Sequence, residues 1–222
     1  MKSGFRIKWE KLSSAYVAGA VAVLSITGCS FFGIRTSEEA NYKILGESGQ
    51  IEIREYDELV VVETDVDAPF DEASKLAFRK LFAYISGENL SKTKIAMTAP
   101  VLSTARRALD GDKIPMTSPV LSERQAEGWR YSFVLPANYT LENAPFPSNP
   151  EVKLASIPQK KVAVIRYTGS WNEQVMREKT EALVEWIQGK GLSIESGPRS
   201  AGYDPPWTLP FLRRNEIMID IE

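Results

Sequence analysis

"IEIREYDELVVVETDV", Ile51 to Val66, runs almost directly into "FDEASKLAFRKLFAYISG", which begins at Phe70. The first segment is rich in β-branched residues and alternates apolar with polar positions, which predicts a strand pair turning near Asp57-Glu58. The period then changes to 3.6. Ala77, Phe78, Leu81, Tyr84 and Ile85 fall on one helical face, and Gly87 stands where a helix can end on a left-handed residue. The same order returns later in the chain. "VKLASIPQKKVAVIRYTGS", Val152 to Ser170, predicts a second strand pair with its turn at Pro158-Gln159. "WNEQVMREKTEALVEWIQG" follows as a cleaner amphipathic helix, with Val175, Met176, Lys179, Ala182, Leu183, Trp186 and Ile187 on one face. Ser170 and Glu173 offer a capping box, and Gly189 closes the segment. At an offset of 101 to 102 residues Phe70 falls on Trp171, Ile85 on Ile187 and Gly87 on Gly189. The pattern is an internal duplication of a strand-strand-helix unit. Neither unit has enough apolar faces to close a core alone, so one pseudo-symmetric α+β domain is expected rather than two.

A shorter repetition lies between the two units. "KIAMTAPVLS", Lys94 to Ser103, returns as "KIPMTSPVLS", Lys113 to Ser122. Asp110-Gly111 between the copies is a hairpin signal, which predicts adjacent antiparallel strands with Val101 near Val120 and Trp129 to Leu135 as a third strand. Pro100 lacks an amide donor and suits an edge or a strand end. Met97 and Met116 either fill core space, as methionine often does, or line a shared apolar pocket.

The N-terminus reads as export chemistry. Lys2, Arg6, Lys8 and Lys11 precede a short apolar run, Ala15 to Ile26, and "SITGCS" ends in Cys29, the sole cysteine. The run is short for a membrane span, and small residues before a lone cysteine resemble a bacterial lipobox. The expected organisation is a signal peptide over 1–28, a lipid-anchored tether over 29–41 and a folded domain over 42–222. Lipidated Cys29 would hold the chain on a membrane. Ser30 in place of an aspartate points to the outer membrane, facing the periplasm.

The composition excludes several classes. A formal net charge of -2 and the lack of a basic run give no sign of a nucleic-acid partner. Histidine is absent, which removes the commonest general base and the commonest ligand for zinc or haem iron. No metal-ligand cluster, nucleophile elbow, Walker loop or dinucleotide fingerprint is present, and a binding protein is expected rather than an enzyme.

"KIAMTAPV", "FVLP" (Phe133 to Pro136) and "GYDPPWTLPFLRRNEIMIDI" (Gly202 to Ile221), together with the first helix and "YTGSWNE", resemble the SOUL family of haem-binding proteins from about Tyr42 to Glu222. The resemblance implies a distorted antiparallel β-barrel flanked by two helices and built from two related halves, similar to the effector-binding domains of drug-responsive regulators. It also implies weak binding of haem, a related tetrapyrrole or another hydrophobic small molecule, here without an axial histidine and with no metal site of the chain's own. Met97, Met116, Tyr84 and Tyr203 are the side chains that could still meet iron. On the first helix Lys75, Phe78, Arg79 and Phe82 would put two cations and aromatic surface beside an apolar groove. Tyr203, Trp207 and Arg213 would form another wall, and Glu216 either pairs with an arginine or meets a cationic ligand, as an acidic residue does in the regulator domains. Two other functions stay open: an envelope interaction module with a vestigial pocket, and a small-molecule hydrolase.

Overall fold

The computed structural model describes residues 37–92 and 111–222. The chain forms β1 (Tyr42–Ser48), β2 (Ile51–Tyr56), β3 (Leu59–Val66), α1 (Phe70–Ile85) and β4 (Asn89–Leu90). Then come β5 (Val120–Arg124), β6 (Trp129–Val134), β7 (Phe146–Pro147), β8 (Lys153–Ile157) and β9 (Lys160–Tyr167). The last elements are α2 (Glu173–Gly189), β10 (Arg199–Gly202) and β11 (Asn215–Ile221). Nine strands make one antiparallel sheet in the order β1-β2-β9-β11-β10-β5-β6-β3-β8, while β4 pairs with β7 separately.

The expected strand pairs exist as strands but not as hairpins. β2 pairs with β9, and β3 pairs with β8. Tyr56 faces Lys160 and Leu59 faces Ile157, so the register passes through both breaks without a slip. Ile51 to Val66 is therefore one long strand, interrupted at Asp57-Glu58, lying against another interrupted at Pro158-Gln159. The two breaks face each other and mark a pseudo-twofold axis. Because β2 runs into β3 and β8 into β9, the two ends of the sheet are drawn together, and the sheet curls into a half-barrel.

The duplication governs the whole order. β9-β11-β10 mirrors β3-β6-β5, with β2 and β8 in equivalent outer places and β1 added beyond β2. Phe70 and Trp171, equivalent by the sequence offset, meet across the repeat with ring centroids 5.6 Å apart and planes at 88°. Edge-to-face geometry of this kind is the favourable one for aromatic pairs. Phe70 also packs edge-on against Trp129 at 4.9 Å.

Strand alternation sorts the side chains into two layers. Val60, Val62, Phe133, Ile165, Ile217 and Ile219 belong to the core beneath the two helices. Val61, Val134, Val164 and Met218 belong with Tyr56, Leu121 and Tyr203 to a second cluster on the helix-free side. Helix α1 presents Ala73, Ala77, Leu81, Tyr84 and Ile85 to the core, and α2 presents Met176, Leu183 and Ile187. Phe78 and Ala182, expected on these faces, are exposed because each lies at the rim of its apolar stripe. The start of α2 is capped by Asn172, whose side chain accepts from the Val175 amide at 3.0 Å; the expected Ser170 box is not the cap. Gly87 (φ 111°) follows the last turn of α1 as expected, while Gly191 (φ 70°), not Gly189, does so after α2.

Only the second copy of the repeated phrase can be placed in the sheet. The first copy and Asp110 lie outside the described residues. In the second copy Val120 faces Phe133 on one edge and Gly202 on the other, so both edges of β5 are paired. Gly111 serves close backbone approach: a Cβ there would sit 2.0 Å from the Gly87 carbonyl oxygen. Trp129 to Val134 is the expected neighbouring strand.

Candidate functional site

Two constellations emerge, one on each side of the sheet. On the helix side, Lys75, Phe78, Arg79 and Phe82 share the outward face of α1 at i, i+3, i+4 and i+7, and all four are exposed. Phe78 and Phe82 stack at 5.7 Å with planes 12° apart, and Phe78 meets Phe133 of β6 edge-on at 5.4 Å. Both rings keep more than two fifths of their surface in water, 41% and 47%. Two stacked aromatics left open on a helix flanked by cations form an uncovered apolar patch, whereas Ala73, Ala77, Leu81, Tyr84 and Ile85 are buried.

Asn89 fixes the edge of that patch. Its buried amide donates to the Tyr84 carbonyl at 2.7 Å and to the Asp112 carbonyl at 2.8 Å, and it accepts from the Asp112 amide at 2.9 Å. The Ile114 amide then donates to the Ile85 carbonyl at 2.8 Å. These bonds strap Gly111–Ile114 to the C-terminal end of α1 and leave Met116, two residues on, 41% exposed. Met97 lies outside the described residues. Sequence reasoning missed Asn89 because its partners are backbone groups, which carry no residue signature.

On the helix-free side the family tail builds a buried charge network. Glu216 of β11 is fully buried and accepts from Arg54 at 2.8 and 3.0 Å, from Arg214 at 2.8 Å and from the Tyr203 hydroxyl at 2.8 Å. Arg54 lies on β2 and reaches across β9 to do so. Its Nη1 also donates to the Tyr56 hydroxyl at 2.9 Å, and its guanidinium covers the Tyr42 ring at 4.2 Å. Arg214 covers the Tyr203 ring at 3.8 Å and pairs with Glu39 at 2.9 Å. Burial alone would raise the Glu216 pKa, but the Arg54 and Arg214 guanidiniums outweigh it and hold the carboxyl below its ordinary value. Burial followed by the neighbouring Glu216 charge pushes the Tyr203 phenol well up.

This arrangement decides two questions. Glu216 is an ionised carboxylate whose acceptor positions are filled by the chain's own donors, so it is a poor general base. The same saturation leaves no place for a ligand cation. On the helix-free side the described residues form an apolar cleft of about 20 Å³ beside Tyr56, Leu121 and Met218. A second cleft bordered by Glu38, Glu39, Asp57 and Glu58 holds about 170 Å³. Both fall below the roughly 300 Å³ at which drug-sized ligands are enclosed.

The expected ligand residues are therefore divided. Lys75, Phe78, Arg79 and Phe82 come together, with Met116 near the end of their helix. Tyr203 lies buried in the opposite layer, bonded to Glu216. Arg213 donates to the Thr208 carbonyl at 2.7 Å and the Pro206 carbonyl at 2.6 Å, fixing its own loop. Trp207 stands out on that loop, 61% exposed. Tyr203, Trp207 and Arg213 thus do not form one wall with α1. As iron ligands the tyrosines fit poorly: the Tyr84 hydroxyl donates to the Pro145 carbonyl at 2.9 Å, and burial raises its pKa.

A nine-stranded curled half-barrel with two helices on one side is the architecture of an effector-binding domain. The C-terminal domain of EcmrR superposes with a TM-score of 0.53 at 14% identity, over 82% of this chain and 98% of that one. A hydrolase from Listeria innocua superposes with a TM-score of 0.52 at 16% identity, over 80% and 94%. These likenesses concern the fold alone. The SOUL heme-binding protein model matches residues 37–220, and the chain belongs to that family. Heme-binding protein 1 of Xenopus tropicalis is 27% identical over 195 residues, 85% of this chain and 93% of the relative. Its namesake from Sus scrofa is 27% identical over 153 residues, 69% and 74%.

Proposed function

We propose that the chain is a lipid-anchored envelope protein that binds haem, a related tetrapyrrole or another flat hydrophobic molecule on the outward face of α1, without catalysis. The carrying observation is the stacked Phe78–Phe82 pair, open to solvent and flanked by Lys75 and Arg79. The rings would cover one face of a macrocycle, and the cations would pair with its propionates. Haem iron would find no imidazole, and among the described methionines Met116 is the exposed one. A broad Soret band and micromolar affinity are expected, held by contact and charge rather than by two axial ligands. Titration of the purified chain with haem tests this. Lys75→Ala and Arg79→Ala should each weaken haem several-fold and leave its propionate diester unaffected. Equal affinity for acid and ester, unmoved by either substitution, would remove α1 as the site.

An interaction module on the same aromatic patch is the second reading, favoured by the small volumes of the two clefts. A chain that binds no tetrapyrrole at all would support it.

The anchoring half of the proposal rests on Cys29 and the apolar run before it. Cys29→Ser should release the chain from the membrane fraction, and globomycin should block its maturation. Unchanged fractionation of Cys29→Ser would count against the lipid anchor while leaving ligand binding intact.

A further inference from the structure

The segment between β10 and β11 displays apolar surface that neither the core nor the α1 face uses. Trp207 at 61% and Phe211 at 67% are the two most exposed large apolar side chains among the described residues. Pro206 and Pro210 are exposed beside them, so the tip of the loop is apolar and uncharged.

The loop is also stiff. Arg213 donates to the Pro206 and Thr208 carbonyls. The Thr208 amide donates to the Pro205 carbonyl at 3.0 Å, and the Leu212 amide to the Leu209 carbonyl at 2.9 Å. The Gly169 amide, just before α2, donates to the Pro210 carbonyl at 2.9 Å. Thr208 is buried between the two exposed pairs. An aromatic tip held by this many bonds is preformed for contact and loses little freedom on binding.

The position of the N-terminus supplies the occupant. Arg214, at the foot of the loop, pairs with Glu39, and its amide donates to the Asp204 carboxylate at 2.6 Å. The Ser118 amide donates to the Glu38 carbonyl at 2.8 Å, two residues before Val120, which faces Gly202. The chain thus enters the fold beside the stem of this loop. Cys29 is eight residues before Ser37, and at ~3.6 Å per residue it lies within about 29 Å of it. Two aromatic tips are far smaller than a protein interface of about 800 Å² per partner. A bilayer interface, by contrast, accepts single aromatic side chains at headgroup depth.

We infer that the Asp204–Arg213 loop is a bilayer-contact element that inserts Trp207 and Phe211 into the lipid interface and orients the domain on its membrane. The inference rests on the lipid-anchored reading, and the test separates the two. The lipidated chain, cleaved before Cys29 and so without Trp9, is reconstituted into phosphatidylethanolamine–phosphatidylglycerol vesicles with acyl chains brominated near the headgroup. About a quarter of the emission should be quenched, since Trp207 is one of four tryptophans left. Adding Trp207→Phe should abolish that quenching without releasing the chain from floating vesicles. Phe211→Ala should reduce it while the far-ultraviolet dichroism stays unchanged. A chain that floats with quenching indifferent to Trp207→Phe overturns the loop contact and leaves the anchor standing. A chain that does not float overturns both.

Discussion

Glu216→Leu is expected to destabilise the folded chain by about 3–5 kcal/mol, the usual cost of removing one partner from a buried ion pair. The loss arises less from missing attraction than from what is left behind. Arg54 is 1% exposed, and without Glu216 its Nη2 would face a layer of Val162, Val164 and Met218, with only Glu52 at Nε and the Tyr56 hydroxyl at Nη1 left to meet the guanidinium. In a chain of this size the fall in Tm should be roughly 6–20 °C. Arg54→Met with Glu216→Leu should cost clearly less than the two single changes added together, because the double variant removes the Arg54 guanidinium with its carboxylate while Arg214 keeps Glu39. Additive losses in that cycle would mean that the two side chains are not coupled. The pH dependence has a fixed sign. The folded Glu216 pKa is depressed, so its stabilisation is complete above the unfolded value of about 4.3 and is lost as pH falls through the lower folded value. Glu216→Leu should therefore flatten the acid limb of the stability curve.

The parts of the fold that follow from local chemistry could be read in the sequence. Strand alternation in Ile51–Val66 and Val152–Tyr167, the 3.6 period of both helices and their offset are all carried by neighbouring residues. The partnering of those strands is not local. Asp57-Glu58 and Pro158-Gln159 look like hairpin turns, yet each only interrupts a long strand whose partner lies about a hundred residues away. The hairpin expected from Asp110-Gly111 reaches outside the described residues, and within them Gly111 has another use. Gly111 is small because the backbones of Gly87 and Asn89 pass against it, and a glycine needed for close approach cannot be told from one needed for a turn.

The charge network shows the same boundary. The tail "RRNE" made an arginine partner for Glu216 foreseeable, and Arg214 is one. Its other partner, Arg54, is 162 residues away, inside a strand whose pattern gives a charged residue no reason to be buried. Arg213 and Arg214 are adjacent and chemically identical, but alternation sends only Arg214 into the layer that holds Glu216, while Arg213 turns to the loop carbonyls. The α1 face was legible for the opposite reason. Helical spacing puts Lys75, Phe78, Arg79 and Phe82 together on α1, although the same spacing also allowed Phe78 to join the core stripe, and its ring is 41% exposed.

Removing both rings from that face should produce the largest change in ligand affinity. Fully burying a phenylalanine contributes about 1.5–3 kcal/mol, and each ring already has about half its surface covered, so a ligand would recover roughly 1 kcal/mol from each. Stacking against a planar partner adds about 0.5–1.5 kcal/mol beyond area. Phe78→Ala with Phe82→Ala should therefore weaken haem by about 2.5–3.5 kcal/mol, a rise in Kd of roughly 60- to 300-fold. Unlike the charge substitutions, this loss should be the same for haem and for its propionate diester, because the rings meet the macrocycle and not its acid groups. The fold should persist, since Ala77, Leu81 and Ile85 hold α1 to the core and neither phenylalanine is buried. Loss of the Phe78–Phe133 edge contact should lower stability by only about 1 kcal/mol. Soret titration and thermal melting of the same preparation separate the two effects. Unchanged haem affinity in a folded double variant would place the tetrapyrrole elsewhere on the molecule.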